Sequence, residues 1–286
     1  MTAAAPAANN LRGGLLLAAA GLCFTAEVVA VRWLDPGTPQ SQIVLARALA
    51  QLGAVVLWAA WVRAPLLATA RPGRHLARGL TSVVSWWLYY SSFARLDLAT
   101  ATVLTFSSAL FVVVLAGPIL GERVGARRWI LTLVGFAGVV LAAQPDGLRI
   151  EPGVLFGLGA ALAMASLIFQ NRILSRTEST ATIMFYIAVV AVLATVPVAV
   201  AGWRPLTAGD AALLAVAGSL GALGMLATIE AYRVGEVSAL APVPYLRLVF
   251  SIAAGLALFG EVPGVATLAG SALIVVAALG VDGRRR

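Results

Sequence analysis

Lysine is absent from this 286-residue chain, in which all 20 basic residues are arginine. The phosphate-cradling loop of ATPases needs the pattern G-x-x-x-x-G-K-[ST], so ATP hydrolysis by this chain alone is excluded as its driving force. Cysteine occurs once, at Cys23 inside an apolar run, which excludes disulfides and cysteine-based metal clusters within one chain. Histidine also occurs once, at His75 in an arginine-rich stretch. Charged residues make up only 11% of the chain. What remains is apolar: 61% of residues are hydrophobic and the mean hydropathy is +0.96, far more than a soluble core of this length needs. The runs are rich in Ala, Leu, Val and Gly and lack the ten-residue alternation of an outer-membrane barrel, so helices must satisfy the backbone in lipid. The chain reads as an all-α, polytopic membrane protein.

Windows of about 19 residues place ten helices: Arg12 to Trp33, Ser41 to Val62, His75 to Ala94, Leu98 to Leu120, Arg127 to Ala143, Gly153 to Asn171, Ser179 to Ala201, Asp210 to Ala231, Val237 to Phe259 and Val265 to Val281. The joints carry turn chemistry such as Asp35-Pro36-Gly37, Arg71-Pro72-Gly73, Pro145-Asp146-Gly147 and Pro263-Gly264. The first run follows Arg12 as a signal peptide would, but it continues to Trp33, too long for a signal core, and is read as the first helix. With the N-terminus cytoplasmic, inside segments hold fourteen arginines and outside loops four, Arg32, Arg95, Arg149 and Arg204. Both termini are therefore expected inside. The net charge of +8 is explained by this topology, and no nucleic-acid partner is expected.

The chain is also written twice. Ala99 to Glu122 and Ser238 to Glu261 superpose at a shift of 139, with Phe111 on Phe250, Gly121 on Gly260 and Glu122 on Glu261. Residues 1–146 and 147–286 then form two five-helix repeats within one membrane domain. An odd number of helices makes the second repeat enter from the opposite face, giving inverted repeats about an axis in the membrane plane. The loop after Glu122 carries three arginines and the loop after Glu261 none, as opposite sides require.

Polar residues that lipid should not tolerate mark the interior. Arg247 falls near the middle of the ninth helix, where it either binds a substrate carboxylate or satisfies backbone carbonyls at a break made by Pro242 and Pro244. Glu27 and Arg47 lie at similar heights and could pair between the first two helices, as a structural salt bridge or as a gating or proton-linked device. Glu122 and Glu261 read as structural helix-end charges, and Glu230 as a solvated one. On the third helix, Ser82, Ser85, Trp86, Tyr89 and Phe93 share one face, with Tyr90 beside it. An interfacial aromatic belt explains Phe93 and Trp87 but not the deeper rings. The eighth helix answers with Gly221, Gly224, Met225 and Thr228, which leave space. Thr100, Thr102, Thr105, Ser107, Ser108, Ser166, Gln170, Tyr245 and Ser251 add polar groups. The lining expected is Ser82, Ser85, Trp86, Tyr89, Tyr90, Thr102, Thr105, Tyr245 and Arg247, with Glu27 and Arg47 gating or coupling. It suits a small amphipathic solute with a carboxylate and an apolar or aromatic body.

The sequence resembles the EamA-type drug/metabolite transporters over nearly its whole length. The resemblance rests on Arg47, the Thr-rich entry to the fourth helix ending at Gly121-Glu122, the Gly135 to Leu141 run, and the echo from Ser238-Ala-Leu-Ala-Pro242 to Gly260-Glu261. Within the family it is most similar to exporters of aromatic and other neutral amino acids of the YddG type. The resemblance implies a bacterial inner-membrane protein that moves amino acids, or another metabolite, outward by alternating access. A monomer without cofactor or metal is expected. Glu27 either carries proton coupling or the protein is a facilitator. An integral-membrane enzyme would need paired acids, a metal cluster or a nucleophile dyad, which the spans lack. A membrane scaffold leaves the deep arginine unexplained.

Overall fold

The computed structural model describes residues 9–63, 65–120, 126–143, 151–174, 177–234 and 243–282. Its helices are α1 (Asn10–Arg32), α2 (Gln40–Val62), α3 (Pro72–Phe93), α4 (Leu98–Phe106), α5 (Ser108–Leu120), α6 (Ala126–Ala143), α7 (Pro152–Leu174), α8 (Thr180–Ala201), α9 (Ala208–Val234), α10 (Leu246–Phe259) and α11 (Val265–Asp282). A 3-10 turn, Val243–Tyr245, leads into α10. Counting α4 with α5 as one broken span, and the 3-10 turn with α10 as another, gives the ten spans expected.

Six of these spans are long and apolar enough to cross a membrane, and shorter apolar helices lie within α6, α10 and α11. Helix α3 is the polar exception, because Arg78, Ser82, Ser85, Ser91 and Ser92 lie on it. All five are buried, so the polar stripe faces protein and not lipid. Asn9 and Asp97 cap α1 and α4 through their side chains, accepting from the amides of Arg12 and Thr100. Gly260, with φ of 65°, closes α10 in the left-handed region that glycine adopts without strain.

Two expected helices are interrupted. The fourth breaks at Ser107, whose hydroxyl donates to the Leu104 carbonyl at 2.5 Å in competition with the helical ladder. The ninth starts as α10 only at Leu246, and the Pro242 side of that break lies outside the described residues. Ser107 and Leu246 differ by 139, so both interruptions fall at one position of the repeat.

The packing carries the repeat symmetry. Helix α1 packs on α9 as α7 packs on α3; α2 meets α9 as α8 meets α3; and α1 touches α10 as α7 touches α4 and α5. The remaining large contacts, α2 with α8, α6 with α11 and α4 with α10, join equivalents to each other. Side chains echo it too: Gln42 Nε2 donates to the Arg204 carbonyl at 3.0 Å, while Thr182 Oγ1, 140 residues on and also in the first turn of its helix, donates to the Pro65 carbonyl at 3.0 Å. Phe106 and Tyr245, also 139 apart, meet edge to face at 5.2 Å, which puts the two-fold axis between their rings. Five spans per half place that axis in the membrane plane, so the architecture is two inverted five-helix repeats.

Candidate functional site

The broken spans bring backbone ends to the protein's middle, and the polar side chains gather there. Glu27 on α1 accepts an ion-paired contact from Arg47 Nη1 on α2, and the Tyr90 hydroxyl on α3 donates to the same Oε1 at 2.5 Å. Arg47 Nη1 also donates to the Tyr90 oxygen at 3.1 Å, closing a three-membered network across three helices. Glu27 is 1% exposed and Arg47 7%. The guanidinium lies over the Trp86 ring, 4.9 Å from its centroid. Glu27 Oε2 and Arg47 Nε are buried and meet no hydrogen-bond partner.

A second group lies against the first. Arg247, in the first turn of α10, donates to the Tyr89 hydroxyl and stands over three rings, Phe24 at 5.6 Å, Tyr89 at 5.5 Å and Phe93 at 5.9 Å. Its Nε is buried without a partner. Tyr89 links the groups, because its ring meets Tyr90 edge-on at 5.3 Å and Phe93 at 4.6 Å. A guanidinium among ring faces is held by the rings' quadrupoles. Arg247 lies in the first turn of α10, where a helix start adds partial positive charge.

Four of the other expected lining residues make contacts of their own. Ser82 accepts from Arg78 Nη1 at 2.6 Å and donates to the Arg78 carbonyl. Thr102 donates to Ser251 at 2.8 Å, tying α4 to α10, and Thr105 donates back to the Ala101 carbonyl at 2.9 Å. Tyr245 serves the axis with Phe106. Ser85 is buried and its hydroxyl meets no partner. Gln170 donates to Ser166 at 2.9 Å and Thr81 at 3.2 Å, joining α7 to α3.

Several expectations change in the structure. Phe93 is 1% exposed and packs in the site, so it is no belt residue: its helical spacing from Tyr89 puts it on the inner face. The small residues of α9 do not leave an empty space, because Gly221 lies where a Cβ would be 2.6 Å from Arg47 Nη1 and 2.7 Å from Glu27 Oε1. Gly224 likewise receives the Phe24 ring. Arg247 sits in the first turn of a short helix, not midway along a long one. Glu261 is more than a helix-end charge: Oε1 accepts from Arg32 at 2.5 Å and Oε2 from the Leu98 amide at 2.9 Å, so it joins α1, α4 and α10 at one face. Glu122 lies outside the described residues.

Three features escaped the sequence reading. Phe24 stands one helical turn before Glu27, a spacing that could have found it. Arg78 falls one turn before Ser82 on the same buried stripe. His75, expected at the very start of the third helix, is wholly buried within α3, its ring 4.6 Å from Tyr186 and its Nε2 3.7 Å from Glu178. Nothing local announces that cluster, since Glu178 comes from the other repeat.

Comparison with known proteins agrees with this architecture. The EamA-like transporter family matches residues 11–144 and again 151–281. An S-adenosylmethionine uptake transporter of Rickettsia bellii is 35% identical over 74% of this chain and 73% of its own. A pseudopaline exporter of Pseudomonas aeruginosa is 28% identical over 95% of this chain and 96% of its own. A riboflavin transporter of Vibrio cholerae is 27% identical over 94% and 92% respectively. A solved structure superposes with a TM-score of 0.62 at 21% identity, covering 94% of this chain and 95% of that chain, a likeness of fold. With two five-span halves matched in turn, the chain belongs to the EamA-like transporter family.

Proposed function

We propose that this protein is a secondary transporter of the bacterial inner membrane for a small metabolite that carries a carboxylate and a flat ring, with S-adenosylmethionine as the leading candidate. One observation carries the reading: the Arg247 guanidinium at the start of a half-helix, among Phe24, Tyr89 and Phe93, with Nε buried and unpartnered. A planar fork accepts a carboxylate through two parallel hydrogen bonds, and neighbouring ring faces accept a planar body. The relatives named for S-adenosylmethionine uptake support that choice of metabolite. The same chemistry fits an aromatic amino acid, the second reading, which the ring face of α3 favours.

Transport proceeds by rocking of the repeats about the axis between Phe106 and Tyr245. We place the boundary between repeats at residues 146 and 147, which the gap between the two family matches supports. Each repeat supplies walls of the site, so one chain holds a complete pathway and acts as a monomer. An even number of spans and the arginine-rich loops support cytoplasmic termini. Glu27 and Arg47 hold α1 to α2 beside the site and act in gating.

Counterflow in proteoliposomes tests the assignment without regard to direction. Liposomes preloaded with S-adenosylmethionine should accumulate the labelled compound, and aromatic amino acids should compete. Exchange of riboflavin alone, or of no carboxylate-bearing compound in the panel, would remove the proposal.

A further inference from the structure

The site holds a second pole that the anion reading leaves unused. Glu27 is 1% exposed, and its two oxygens are treated unequally. Oε1 takes both Arg47 and Tyr90, while Oε2 is buried and accepts nothing. A carboxylate offers about four acceptor positions, so its free oxygen keeps capacity for one more donor. An unsatisfied buried carboxylate oxygen costs free energy that a native protein normally avoids. Here it borders the substrate site: Phe24, the ring beneath Arg247, lies one helical turn from Glu27 on the same face of α1.

We infer that Glu27 Oε2 accepts from the ammonium of the substrate, and that a proton competes for the same oxygen, so that substrate and proton exchange at Glu27. The inference rests on the transporter reading and narrows its substrate class to zwitterions and cations with a carboxylate. Phe24, over whose ring Arg247 stands, precedes Glu27 by one helical turn, ~5 Å along α1. The charges facing Glu27 set the rule. Arg47 comes from α2; Tyr90 comes from α3, with Tyr89 next to it; Arg247 comes from α10; and α9 presents the uncharged Gly221. Glu27, Arg47 and Arg247 together leave one positive charge in the site, which a carboxylate offsets. A substrate that adds a cation needs the Glu27 charge intact, so protonating Glu27 disfavours it. The proton adds to Oε2 as the substrate's ammonium leaves it, and no bond other than O–H changes.

The same preparation tests this in two ways. In purified wild-type protein in weak buffer, binding of tryptophan or S-adenosylmethionine should release protons, whereas indole-3-propionate, which lacks the ammonium, should release none. Wild-type affinity for tryptophan should fall as the pH is lowered, by up to about tenfold per pH unit. In Glu27→Gln, tryptophan affinity should lose its pH dependence and approach that of indole-3-propionate, while Glu27→Asp should restore both. If Glu27→Gln does not fold, the wild-type proton count alone decides. Tryptophan and S-adenosylmethionine binding without proton release, or pH dependence that survives in Glu27→Gln, overturns the inference and leaves the transporter reading standing. Failure of every compound to bind or exchange overturns the transporter reading first, and the inference falls with it.

Discussion

Replacing Arg247 by leucine separates recognition from folding. Among the described residues the side chain gives one hydrogen bond to protein, to the Tyr89 hydroxyl, so its loss leaves one polar group to rehydrate or repair, at about 1–2 kcal/mol. The rings that surround it, Phe24, Tyr89 and Phe93, remain and accept the apolar replacement. Recognition loses much more. Hydrogen bonds to a charged group contribute about 1.5–3 kcal/mol, so a carboxylate that loses a two-pronged partner should bind more weakly by about 3 kcal/mol, roughly a hundredfold. Arg247→Lys keeps the charge without the fork and should fall between, near tenfold. The assay is the half-saturation of counterflow for a carboxylate substrate and for its methyl ester. The acid should lose its advantage over the ester in Arg247→Leu. Half-saturation of the acid within twofold of wild type, in a variant that elutes as a single species, refutes the assigned role.

Two further substitutions probe the frame around that site. Gly221→Ala inserts a methyl 2.6 Å from Arg47 Nη1 and 2.7 Å from Glu27 Oε1. Overpacking of this kind costs about 1–3 kcal/mol, so Tm in detergent should drop and counterflow should slow, while Gly53→Ala, which meets nothing within 4 Å, should change neither. Glu261→Gln weakens the ion pair to Arg32 and the bond to the Leu98 amide, so the face carrying Trp33 should open more often. Labelling of an engineered cysteine at Ser251 by a membrane-impermeant maleimide should quicken, and unchanged labelling would send Glu261 back to a local cap.

Much of the architecture was legible because lipid simplifies the rules. Apolar windows gave the ten spans, and a repeated Gly-Glu ending at Gly121-Glu122 and Gly260-Glu261 gave the duplication. The Glu27–Arg47 pair was legible because few charges lie inside spans, and opposite charges at one depth have few other partners. What stayed hidden depended on local backbone or on distant partners. The break at Ser107 arises from a side-chain-to-backbone hydrogen bond that hydropathy does not register. Phe93 looked interfacial because it closes its helix, yet the spacing from Tyr89 turns it inward. His75 and Glu178 come from different repeats, so only the packing of α3 against α7 and α8 joins them.

The division between what repeats and what does not explains how one fold can carry and also choose. Elements that move must be equivalent, because two states related by exchange of the repeats are then close in energy and a substrate can tip them. Those elements do repeat: the breaks at Ser107 and Leu246, the ring pair Phe106 and Tyr245, and the Gln42 and Thr182 ties to opposite loops. The charged residues proposed to bind do not. At the shift of 139, Glu27, Arg47 and Arg247 fall on the uncharged Ser166, Tyr186 and Ser108. A zwitterion, the proposed substrate class, has no two-fold axis, so a site that recognised its two ends would have to break the symmetry of the frame that carries it. Charges confined to one copy of each position, within duplicated helices, are what that proposal requires.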